Sequence, residues 1–188
     1  MSEHYDVIIV GAGPAGIFAA LELRRLGGFR VLLLEKGTLV QKRKCRIDSE
    51  HIACSNCQPC SIMCGWGGAG AFSDGKLTLT TEFGGWLADY IGKEKLTELI
   101  AYADQIYVNF GAPDRLFGQL DQDFWDLQSR VIKAGLKLIP ARIRHMGSEN
   151  TQKVLANMHK EIARQISIRT GEKVEKEIIE TGGPAGVK

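Results

Sequence analysis

An apolar run, Val7-Ile8-Ile9-Val10, leads directly into Gly11-Ala12-Gly13-Pro14-Ala15-Gly16, and a second run, Val31-Leu32-Leu33-Leu34, ends on Glu35. This order of strand, glycine turn, helix, strand and acid constrains the chain more than any other feature. It predicts a βαβ unit over residues 5–36 that receives the diphosphate of a dinucleotide. Each position has a physical reason. Gly11 permits the tight turn, Gly13 lets the backbone approach a pyrophosphate, and Gly16 lets helix and strand pack closely. Unpaired N–H groups at the helix start favour the anion. Glu35 stands close to the roughly 20-residue spacing expected for the acid that accepts ribose hydroxyls. A carboxylate there would also repel a 2′-phosphate, which argues against NADP at this site. The competing reading is an ordinary βαβ unit whose glycines serve packing alone.

Composition fits a folded domain. The 188 residues are 44% hydrophobic and 24% charged, with a net charge of +2. Acids and bases nearly balance, so no broad basic field for nucleic acid or anionic membrane is implied. The local exception is Lys42-Arg43-Lys44 with Arg46, which reads as a solvated loop or as help with phosphates. The start is not a signal peptide, because Glu3 and Asp6 precede the apolar run. The segment from Val7 to Leu23 is too short and too broken by glycine and proline to span a membrane. A cytoplasmic protein is the expectation.

Further along, Gly27-Gly28 should end the first helix, and residues 37–64 read as loop. Helical spacing returns from Trp86 to about Phe110, with a break near Gly92, and again over 121–134. Asp121, Asp123 and Asp126 suit the dipole at that helix start better than calcium. Residues 136–143 suggest a strand interrupted by Pro140. Ser148 can cap a helix over 149–165, followed by strands at 166–170 and 174–179 and a turn at 181–184. The strand at 166–170 should lie parallel beside the first βαβ unit. The rest should begin an antiparallel excursion. The expected fold class is α/β: a Rossmann-like dinucleotide-binding parallel sheet with a helical insertion, incomplete at the C-terminus. The expected divisions are residues 1–85, a helical insertion over 86–147, and a return to the sheet over 148–188.

Four of the five cysteines cluster as Cys54-x2-Cys57-x2-Cys60-x3-Cys64. The spacing matches a ferredoxin-type run, although Gly65 follows where proline is usual. Three readings stay open: a zinc or iron–sulfur site, a thiol–disulfide pair, and plain reduced cysteines. Cys45 is the odd one, and His51 could join a cluster. The segment Gly70-x4-Gly75-Lys76 nearly matches a P-loop. Leu77, however, stands where a hydroxyl should meet magnesium, so Lys76 reads as a solvated lysine or a phosphate contact.

Residues 5–36 resemble the N-terminal unit of two-dinucleotide-binding-domain flavoproteins. The segment from Gly65 to Leu77 (GWGGAGAFSDGKL), together with His145-Met146-Gly147-Ser148, resembles a group of poorly characterised FAD-dependent dehydrogenases. The resemblance implies FAD, a flavin redox reaction and NAD(P)H as an electron source, with no substrate assigned. It implies that Gly11, Gly13, Pro14, Ala15 and Gly16 hold the ADP half, with Glu35 on ribose and Lys36 on the adenine side. Gly67, Gly68, Ala69 and Gly70 would bring amides toward the pyrophosphate or the flavin. Trp66 would be a core aromatic or a flavin stacker. The chain departs from this group in length, so the alternative is a dinucleotide-binding or electron-relay module completed by a second polypeptide. An NAD-binding dehydrogenase domain is the third reading.

Overall fold

The structure is a computed structural model that describes residues 4–47, 53–180 and 183–188. His51 and the first half of the 181–184 turn lie outside the described residues. The chain divides into two compact units. One takes residues up to Ser73 and from Leu155 onward, and the other takes Asp74–Val154.

The first unit is built on a parallel sheet. Strand β1 (Val7–Val10) leads to helix α1 (Pro14–Leu26) and then to β2 (Val31–Glu35). Strand β6 (Ser167–Thr170) returns to the far side of β2, giving the order β1-β2-β6. Both pairings are parallel, with Ile9 opposite Leu33 and Leu33 opposite Ile168. Parallel neighbours on both sides make β2 the centre, and all five of its residues are buried. Ile17, Ala20 and Leu21 of α1 are buried as well, at the spacing of one helix face. The helix stops at Gly27, whose φ of 70° no ordinary residue adopts cheaply and whose N–H donates to Leu23 O at 3.0 Å.

The chain then forms an antiparallel pair, β7 (Glu177–Glu180) with β8 (Gly183–Val187), as expected for an excursion from the sheet.

In the second unit, β3 (Lys76–Thr78), β4 (Leu116–Phe117) and β5 (Ile143–His145) form a small antiparallel sheet in the order β3-β5-β4. Helices α2 (Leu87–Ile91) and α3 (Lys93–Asn109) are separated at Gly92, where the break was expected. Helix α4 (Gln122–Lys133) is capped by Asp121, whose carboxylate accepts the Phe124 N–H at 3.0 Å. Arg144 grips Asp104 with two bonds, at 2.6 and 2.7 Å, and also donates to Pro113 O. The expected strand over 136–143 is corrected. Residues 136–142 form no strand, and only Ile143–His145 pair. Pro140 has no N–H to give a ladder, which restricts pairing to the residues beyond it. Helix α5 (Ser148–Ile162) begins in this unit and carries its last turns, with Leu155, Met158 and Ile162 buried, into the first.

Candidate dinucleotide site

The fingerprint glycines do two separate jobs. Gly11 turns the chain off β1 at φ +100° while its N–H donates to Leu34 O at 2.7 Å. Gly16 is required by contact, because a Cβ there would sit 1.9 Å from Gly11 O. Gly13 is different: a Cβ on it would meet nothing within 4 Å. Its bareness serves open space, not packing. Gly13 is also the N-cap of α1 and offers no side-chain cap, Pro14 fills the first helical position, and Ala15 is exposed. The first-turn N–H groups therefore face outward with no side chain capping them.

A second glycine segment closes against this turn. Gly67 N–H donates to Ala12 O at 2.8 Å, and a Cβ on Gly68 would lie 3.4 Å from Gly13 Cα. Gly67 itself leaves no space for a side chain, since its Cβ would meet Leu155 Cδ1 at 2.5 Å. Ala69 and Gly70 are exposed and begin a 3-10 turn, Ala69–Phe72. Two stretches of bare backbone thus border the space over Gly13. That cradle fits a diphosphate, which needs amide donors and close approach more than side chains.

Glu35 is buried, and its carboxylate faces the protein. Oε2 accepts the Ala12 N–H at 2.8 Å, and Oε1 accepts those of Gly37 at 2.7 Å and Gly65 at 2.9 Å. One carboxylate therefore joins the fingerprint turn, the turn after β2 and the start of the second glycine segment. Lys36, next in sequence, points to solvent.

Lys42, Lys44 and Arg46 are exposed, as a solvated basic run should be, and Arg43 alone departs from that reading and from a phosphate aid. It is 4% exposed and donates to four backbone carbonyls. These are Ser61 O at 2.8 Å, Ile62 O at 2.6 Å, Trp66 O at 2.9 Å and Gly68 O at 2.8 Å. Its guanidinium also stacks over Phe72, 4.7 Å from the ring centroid. Burial lowers its pKa from the ordinary value, and the charges of Glu35, Cys64 and Cys60 oppose that shift. No sequence pattern announced this arginine, because its acceptors are carbonyls of a loop.

Trp66 is wholly buried, donates its indole N–H to Leu155 O at 2.8 Å and meets His159 edge-on. It is a core aromatic, and the stacking reading is corrected. Lys76 is exposed and pairs with Asp74 at 2.8 Å. It opens strand β3 rather than a helix, which removes the P-loop reading.

The cysteines take a third arrangement. Cys45, Cys54, Cys57 and Cys60 line one cavity of about 60 Å³, and Cys64 is not among its walls. Among the described residues, no group of three or more His, Cys, Asp or Glu is placed to hold a metal ion. The spacing Cys54, Cys57, Cys60, Cys64 is therefore not matched by converging ligands there. The N–H groups of Met63 and Ile62, and then Arg43, lower the pKa of the Cys60 thiol. A larger cavity, about 950 Å³, lies elsewhere, lined by Ile8, Leu32, Leu34, Arg169 and residues of β8. None of the fingerprint glycines borders it, so chemistry rather than size locates the site.

Residues 5–73 match the family described as pyridine nucleotide-disulphide oxidoreductase. That match covers both glycine segments, Glu35, Arg43 and the cysteine run. Two relatives agree with it in part. A Clostridium beijerinckii protein described as uncharacterized is 45% identical over 71 residues, which are 38% of this chain and 13% of that one. The inferred FAD-dependent oxidoreductase LodB of Marinomonas mediterranea is 51% identical over 41 residues, 22% of this chain and 11% of its own length. The matches thus span a small part of these relatives. Among solved structures, the 3-ketosteroid-delta4-(5alpha)-dehydrogenase of Rhodococcus jostii RHA1 shares the fold. Its TM-score is 0.55 at 17% identity, covering 97% of this chain and 41% of that one.

Proposed function

We propose that this chain is the FAD-binding part of an FAD-dependent oxidoreductase. The observation that carries the reading is the bare-backbone cradle, formed where Gly13 and Gly68 approach over open space. The family match over residues 5–73 and the name of LodB support FAD as the dinucleotide. When bound, the flavin supplies the redox chemistry, while the protein supplies binding and orientation. Gly11, Gly13, Pro14, Ala15 and Gly16 hold the ADP half at the start of α1. Gly67, Gly68, Ala69 and Gly70 cover it from the other side. Glu35, turned inward onto three amides, holds the loops that shape the cradle. Lys36 borders the adenine side.

In this reading electrons come from NAD(P)H, in line with the family's description, and the setting is the cytoplasm, where thiols stay reduced. No helix among the described residues is long and apolar enough to cross a membrane.

Titration of the cofactor-stripped chain with FAD, followed by flavin fluorescence, tests the proposal. Saturable binding that Gly13→Val abolishes, with an unchanged unfolding midpoint, is the expected result. A Gly13→Val chain that binds FAD as tightly as the parent would overturn it.

A further inference from the structure

The bases of the second unit are unevenly placed. Between Asp126 and Glu149 the chain carries Arg130, Lys133, Lys137, Arg142 and Arg144 and no acid. Arg144 is buried and spent on Asp104. The other four are exposed, and none of them is in an ion pair among the described residues. Glu82, which feels the charge of Lys137, is itself held by Lys93 at 2.5 Å. A local excess of positive charge therefore sits on a chain that is nearly neutral as a whole.

Apolar side chains are interleaved with these bases. Helix α4 places Phe124, Trp125, Leu127, Val131 and Ile132 on one side, and Asp126, Ser129, Arg130 and Lys133 on the other. No residue of this helix is buried. Phe124, Gln128 and Val131 are half-buried at helical spacing, so only a narrow stripe rests on the unit. Trp125, 48% exposed, and Ile132, 64% exposed, stand beside that stripe in solvent. Past the helix end the Leu136 N–H turns back to Val131 O at 3.0 Å, which keeps Leu136, 67% exposed, next to the last turn. Ile139 follows in the loop and is exposed as well.

We propose that α4 and the loop after it, residues 136–142, form a docking surface for an anionic lipid bilayer, with the helix lying in the plane of the headgroups. Trp125, Ile132 and Leu136 enter the acyl boundary, while Lys133 and Lys137 extend to the anionic headgroups. Tryptophan, apolar with one polar N–H, suits that boundary. Each base near an anionic leaflet strengthens binding about fivefold. Lysines stand among the apolar residues here, whereas protein interfaces are depleted in lysine, which favours lipid over a protein partner. A nucleic-acid backbone would engage the bases but leave Ile132 and Leu136 in water. Attachment of this kind needs no spanning helix.

The test is flotation of the full chain with vesicles of phosphatidylcholine alone and of phosphatidylcholine with about one-third phosphatidylserine, which carry the anionic charge. The expected result is binding to the anionic vesicles only, released when salt is raised to about 0.5 M, where exposed charges are screened. The Lys133→Gln/Lys137→Gln double variant should bind at least tenfold more weakly, with an unchanged unfolding midpoint, since both side chains are exposed. Ile132→Ser/Leu136→Ser should weaken binding as well while leaving its salt dependence in place. Lipids brominated on the acyl chain should quench tryptophan fluorescence, and Trp125→Phe should remove part of that quenching. Equal binding to both vesicle types, no binding to either, or anionic binding that the lysine variants leave unchanged would each overturn the proposal. So would a DNA duplex or an acidic peptide that displaces the chain from the vesicles at lower concentration than the lipid itself. The readout needs no flavin, so its failure leaves the FAD reading untouched.

Discussion

Gly13 and Gly16 lie three residues apart, yet adding one methyl group to each should cause different damage. At Gly16 the new carbon meets a backbone oxygen that cannot rotate away. Gly16→Ala should therefore lower stability by about 1–3 kcal/mol, measured by urea unfolding. Gly13→Ala meets nothing, so its unfolding midpoint should stay within error while FAD affinity falls at least tenfold. Arg43→Lys is a second case. An ammonium cannot reach four carbonyls, and each buried acceptor left unpaired costs about 1–3 kcal/mol. A loss of ~3 kcal/mol or more is expected in the same measurement, although the charge is kept. His159 gives a pH signature. Burial lowers its pKa below the ordinary 6.5. The unfolded chain therefore binds the proton more readily, and stability falls as pH drops below about 6.5. His159→Gln should flatten that part of a melting-temperature profile. The glycines were legible in the sequence because diphosphate geometry dictates them. Arg43 was not, because a residue that binds loop carbonyls follows no periodicity.

Among the elements, β2 holds the sheet together. It pairs on both sides, and Leu33 at its middle is fully buried. Leu33→Ala should cost about 2–5 kcal/mol, read from the denaturant midpoint. The same substitution at Leu26, 64% exposed at the end of α1, should change little. The apolar runs announced β1, β2 and β6, and helical spacing announced α1, α3, α4 and α5, because a long pattern averages out local exceptions. The short strands β3 and β4 gave no such signal. Two or three residues cannot display a period, and their pairing depends on β5, more than 25 residues away from either β3 or β4 along the chain.

For the chain as a whole, charge is nearly neutral, and the cradle consists of amides with a buried arginine already committed to carbonyls. Binding that rests on fixed dipoles rather than on mobile lysines responds weakly to ionic screening. FAD affinity should shift by less than about threefold between 50 and 500 mM salt, a range over which the Debye length shrinks about threefold. A tenfold weakening would mean that exposed bases such as Lys36 do most of the holding. The parallel sheet, the place of the 166–170 strand and the antiparallel excursion were all legible in the order of elements. The route by which three loops meet at Glu35 was not, since the spacing of an acid does not reveal which way its carboxylate turns.

That inward turn has a consequence for how a ligand is received. Three amides are tied to one buried anion before any guest arrives, so the receptor is preorganised and little ordering entropy remains to be lost on association. Capture should then run at a rate set by encounter, with affinity differences among nucleotides appearing in how slowly they escape.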